Sequence, residues 1–159
     1  MKLMKTIAFA LLLSANTTWA GEYTQGPITV TEPSTFETAQ GTKVGGGYMT
    51  ITNAGNTDDR LLDVKVDGIP RIELHLSPTD ANGVATMTKQ DGIDLPAGQS
   101  VTLMPGGLHV MFMGLGDDPF EAGETIDATL VFERAGEMSV VFDVRARTAG
   151  DHSGMKMSN

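Results

Sequence analysis

Two histidines and a group of methionines carry the chemistry this sequence offers. His109, Met111 and Met113 occupy alternate positions of "GGLHVMFMGL", residues 106–115, and His75 stands near the end of "RIELHL". Met87 follows in "VATMTK", twelve positions after His75 and twenty-two before His109. The third and last histidine, His152, lies close to the C-terminus. Thioethers are soft, uncharged donors that favour Cu(I), while imidazole accepts either copper state, so a set of two histidines and two methionines favours the reduced ion. Zinc would recruit cysteine, histidine or carboxylate, and calcium or magnesium would recruit oxygens. The plainer reading of the same residues is a methionine filling a gap in a β core and a histidine satisfied at the surface.

Strands must position these groups. If residues 108–113 are extended, His109, Met111 and Met113 share one face and Leu108, Val110 and Phe112 share the other, which is the natural core face. Period-2 alternation rich in β-branched residues predicts strands at 28–31, 48–53, 61–66, 71–76, 84–89, 101–104, 108–113, 125–132 and 138–144. Turn signals separate them: "NAGNTD", "DGIP", "SPTDANG", "LPAGQ", "MPGG", "LGDDP" and "RAGE". No helical stretch is expected after the N-terminal segment, and many short strands at this spacing predict an all-β Greek-key sandwich or barrel.

The 159 residues suit one domain. Lys2 and Lys5, an apolar run over 7–13 and a small-residue end at Ala20 predict an export signal covering 1–20, cleaved before Gly21. That run is too short to span a bilayer, so no membrane anchor is expected. Losing the two lysines takes the formal charge from −9 to −11, which disfavours binding to nucleic acid. With no cysteine, zinc ribbons, thiol redox motifs and thiolate copper sites are excluded. There is no Gly-x-Ser-x-Gly, no His-Glu-x-x-His and no phosphate-cradling glycine loop, so no enzyme activity is expected.

The sequence His75, Leu76, ten residues, Met87, twenty-one residues, His109, Val110, Met111 resembles the signature of the periplasmic copper chaperone family PCu(A)C. Where that family often has a second methionine after its first histidine, this chain has Leu76. The runs "DGIDLPAGQSVTLMPGGLHVMFMGL" and "GGGYMTITNAG" also resemble the family, and the likeness extends over about Gly26 to Val144. The resemblance implies a cupredoxin-like domain over 21–148 that binds Cu(I) through His75, Met87, His109 and Met111. It further implies a periplasmic carrier that passes copper to a partner: a cytochrome c oxidase subunit with its dinuclear copper centre, or a thioredoxin-like assembly factor.

Other residues carry weaker expectations. Met113 is expected to pack in the core or at the rim, the alternative being that it shields the site or substitutes as a ligand, and Met49, Met104 and Met138 are expected to pack without a metal role. Glu73 shares a face with His75 and is a candidate for fixing its ring, but a solvated surface carboxylate is the simpler expectation. Residues 149–159 read as a flexible tail in which His152, Met155 and Met157 repeat the ligand types, a possible second site that takes Cu(II) as well. The competing readings are a secreted adhesion or assembly subunit with incidental histidine and methionine, and a hydrolytic zinc site built from the two histidines and a carboxylate.

Overall fold

The computed structural model describes residues 21–148. They form eleven strands: β1 (Glu22–Gln25), β2 (Ile28–Phe36), β3 (Val44–Asn53), β4 (Asp59–Lys65), β5 (Arg71–Leu76), β6 (Thr88–Gln90), β7 (Ile93–Leu95), β8 (Ser100–Leu103), β9 (Leu108–Met113), β10 (Thr125–Phe132) and β11 (Gly136–Arg145). No helix occurs among the described residues. The expected all-β architecture is what the chain adopts.

One sheet runs β6-β5-β9-β3-β2-β11-β10-β4-β7, with β1 added to β2 and β8 to β3, and it curls into a nearly closed barrel. All pairings are antiparallel except β2 with β11. Alternation decides which face turns inward: in β11 Met138, Val140, Phe142 and Val144 are buried, and in β9 Val110 and Phe112 are completely so. The rings of Phe120 and Phe142 both meet that of Phe112 edge to face, at 5.6 and 5.7 Å between centroids. The glycines of β3 make this possible. A Cβ on Gly47 would lie 2.9 Å from Phe112 and 3.1 Å from Phe142, and one on Gly45 would lie 2.8 Å from Phe120.

Strands β5, β9 and β10 have the bounds that alternation predicts. Two strands escaped it: β1 is polar and pairs only along an edge, and β7 is three residues long. The predicted strand 84–89 is shorter than expected. Only Thr88–Gln90 pairs with β5, while 77–87 form a loop held by the Asp80 carboxylate, which accepts from the backbone of Asn82 and Val84 at 2.8 and 2.9 Å. Satisfying those amides locally removes the need for a sheet partner.

Candidate metal centre

Strands β5 and β9 run antiparallel with Arg71 opposite Met113, Glu73 opposite Met111 and His75 opposite His109. Because directly opposed residues project to the same side, these six side chains share the face turned away from Val110 and Phe112. The register brings together two histidines separated by thirty-four positions in the sequence: their ring centroids are 5.9 Å apart. Neither ring is open to solvent. His75 is 9% exposed and His109 is 7% exposed.

The hydrogen bonds fix which nitrogen each ring can offer. His75 Nε2 lies 2.8 Å from Glu73 Oε2, and since a carboxylate only accepts, Nε2 carries the proton and donates it. The lone pair of the neutral ring is then on Nδ1, which is buried and has no hydrogen-bond partner. His109 works the other way round: its Nδ1 donates to the Gly107 carbonyl at 3.1 Å, leaving the lone pair on Nε2. A buried acceptor without a partner is costly, and a bound cation is the partner that would satisfy it.

Glu73 is not the solvated carboxylate the sequence suggested. Its side chain is 9% exposed, and its other oxygen accepts from Arg71 Nε and Nη2 at 2.9 and 2.6 Å and lies 3.3 Å from Lys89 Nζ. Lys89 comes from β6, where it pairs with His75. The hydrogen bond from His75, followed by those from Arg71, holds the Glu73 carboxyl down at about 2. Burial lowers the pKa of His109, against the raising effect of its bond to Gly107, and the neighbouring His75 lowers it further. That keeps His109 neutral and able to ligate.

Three methionines stand at neighbouring positions in the register. Met111 is half-buried, two residues after His109 on the same face. Met87 is 52% exposed and stands just before β6, two residues ahead of Lys89, on the opposite flank of His75. Met113 is half-buried opposite Arg71, one step further from the histidines than Met111. Met49 and Met138 are buried in the core, whereas Met104, expected to pack, is 54% exposed. Ser77, which the sequence did not single out, is 9% exposed with its Oγ unpartnered, two residues after His75. His152, Met155 and Met157 lie outside the described residues, as does the segment 1–20.

Among the described residues no group of three or more His, Cys, Asp or Glu is placed to hold a metal ion. The carboxylate nearest the histidines is committed to one ring and two cations. A hydrolytic zinc site therefore has no third ligand of these types among the described residues, and the donors that remain are two imidazole nitrogens with Met111 on the same face, a set that suits a soft cation of low charge.

Residues 28–144 match the family described as "Putative lipoprotein LpqE-like". The chain belongs to the LpqE-like family. A relative, "Putative lipoprotein Lxx21020" of Leifsonia xyli subsp. xyli, is 32% identical over 108 residues, 67% of this chain and 64% of that protein, so the match spans just under two thirds of the relative's length. Among solved structures, "Copper-bound PCuAC domain from PmoF2" is similar with a TM-score of 0.69 at 29% identity, covering 79% of this chain and 98% of that one. "Apo PCuAC domain from PmoF1" gives 0.67 at 31%, covering 79% and 99%. "Solution structure of CuI-DR1885 from Deinococcus Radiodurans" gives 0.58 at 25%, covering 82% and 83%. The LpqE-like domain has the cupredoxin-like β fold of these PCuAC domains. The region matching the LpqE-like family contains His75, Met87, His109 and Met111 and ends before the tail.

Proposed function

We propose that this protein is an exported copper carrier. It binds one Cu(I) through His75 Nδ1, His109 Nε2 and the thioethers of Met87 and Met111, and it hands the ion to a copper protein. The observation that carries this reading is the pair of buried imidazoles, one with an unpartnered Nδ1, opposed across two strands that also carry Met111. The similarity to a PCuAC domain described as copper-bound, and to a protein described as the CuI form, supports copper as the cargo.

The roles of the residues follow from their settings. Glu73, clamped by Arg71 and Lys89, keeps Nε2 of His75 protonated and turns Nδ1 toward the metal. Burial keeps His109 neutral. Neutral donors leave the ion's single charge uncompensated, which favours Cu(I) over Cu(II). Met87, on an exposed loop, is the donor best placed to let go when copper leaves.

We assign residues 1–20 to a cleaved export signal, 21–148 to the copper domain and the periplasm as its place of work. None of the 159 residues is a cysteine, so none can carry a lipid through a thiol. Residues 149–159 supply a looser second site, which also accepts Cu(II), through His152, Met155 and Met157. The recipient is the dinuclear copper centre of cytochrome c oxidase, reached directly or through a thioredoxin-like assembly factor. Mixing the Cu(I)-loaded protein with the apo dinuclear-copper domain, alone and with such a factor, tests this: copper moves to the domain, and retention on the carrier in both mixtures overturns the choice of recipient.

A further inference from the structure

Six methionines lie among the described residues, and Met104 is the one whose position conflicts with the role its sequence suggests. Met49 and Met138 fill the core, yet Met104 is 54% exposed, about as open as Met87. It opens the turn between β8 and β9. Its N–H donates to the Leu108 carbonyl at 2.8 Å and its carbonyl accepts from Gly107 N at 3.0 Å, so the turn folds residue 104 back against residues 107 and 108.

The side chain runs over Gly107: a Cβ built there would lie 3.5 Å from Met104 Cγ. Gly107 is bound to both halves of the site, its carbonyl accepting from His109 Nδ1 at 3.1 Å and from Ser77 N at 3.0 Å. It precedes His109 by two residues, which by strand alternation puts the space above it on the histidine face. On the other flank of β5, Leu76 pairs with Thr88, so Ser77 meets Met87 one step further on. Continued one step, the register sets Met87 beside Ser77 on one flank and Gly107, with Met104 over it, on the other, and the buried Oγ of Ser77 has no partner. No Asp, Glu, Lys or Arg occurs from residue 95 to 116, so nothing charged in this stretch competes for the ion or repels it.

We propose that Met104 is a further donor of this site, a thioether at its mouth that binds Cu(I) while one of the inner sulfurs lets go, during loading and release. The proposal rests on the reading of His75, His109, Met87 and Met111 as a Cu(I) site. Exchange of one neutral thioether for another leaves charge and oxidation state unchanged, so the ion never passes through a bare intermediate.

The test uses the protein labelled with 13C at its methionine methyl groups, titrated with Ag(I) as a redox-inert soft probe and with Cu(I) under reducing conditions. The ε-methyl of Met104 should shift by a smaller amount than those of Met87 and Met111, in keeping with its transient occupancy, while Met49 and Met138 stay in place. Met104→Leu, which conserves volume, should still fold and take up one Cu(I), but capture from and release to a small chelator should slow several-fold. An unmoved Met104 methyl beside shifting Met87 and Met111, or unchanged exchange rates in Met104→Leu, overturns this inference and leaves the carrier reading intact. If none of the three methyls shifts, the site itself has been misassigned and the inference falls with it.

Discussion

In the proposed site Glu73 sets the tautomer of His75 without being a ligand itself, and two substitutions separate its effects. Glu73→Ala removes the acceptor 2.8 Å from His75 Nε2 and leaves that N–H without its partner beside a ring that is 9% exposed. Loss of such an outer partner weakens metal affinity by about 10- to 100-fold, and this burial places the alanine variant near the upper end. Glu73→Gln retains one oxygen able to accept from Nε2 but loses the charge that Arg71 and Lys89 clamp, which puts it near the lower end, at about 10-fold. Competition against a chromogenic Cu(I) chelator measures both. Imidazole 15N shifts of the apo protein report the tautomer directly: Nδ1 of His75 is unprotonated in the parent and partly protonated in Glu73→Ala. Acid unfolding provides a separate check. The folded carboxyl sits at about 2, below its ordinary 4.5, so its contribution to stability is present above pH 4.5 and is lost as pH falls from 4.5 toward 2. Glu73→Gln should flatten the apo stability curve in that window. Unchanged affinity in both variants, with the His75 tautomer intact, refutes the role given to Glu73.

Other expectations follow from the same geometry. His109 has its pKa lowered by burial, so its neutral ring stabilises the apo fold above its ordinary 6.5, and that stability should fade as pH drops below 6.5; chemical denaturation at stepped pH, with His109→Gln as the flattened control, measures it. Cu(I) affinity should weaken over the same acid range, because protons compete for imidazole and not for thioether. Met111→Leu and Met87→Leu should each lower Cu(I) affinity while changing unfolding free energy by less than about 1.5 kcal/mol; unaltered affinity in both would remove them from the ligand set. Deleting residues 149–159 should leave one tightly held Cu(I) and reduce either total copper bound or the rate of loading from Cu(II); identical stoichiometry and rates would show that the tail takes no part.

What the sequence revealed and what it concealed divide along the reach of the interactions. The strands that carry the histidines were legible because "RIELHL" and "LHVMFM" alternate cleanly and are bounded by proline and glycine. The fact that His75 faces His109 was not, since register depends on pairings between segments far apart in the chain. Glu73 read as a surface residue because one cation that covers it, Lys89, arrives from β6, a strand whose start was itself misplaced. The Val and Thr alternation over 84–89 looked extended, and the side chain of Asp80, four residues earlier, turned it into a loop. Met104 passed for packing because nothing local says that its turn folds back over Gly107.

In the proposed function, two opposed imidazoles and the thioethers of Met87 and Met111 form a Cu(I) site. A competitive titration of residues 21–159 with Cu(I), beside the His75→Ala, His109→Ala double variant and with Zn(II) in parallel, tests it most directly. One tightly bound Cu(I), weak Zn(II) binding and loss of the tight Cu(I) in the double variant are expected. Absence of tight Cu(I) binding in the parent, its survival in the double variant, or a preference for zinc would contradict it.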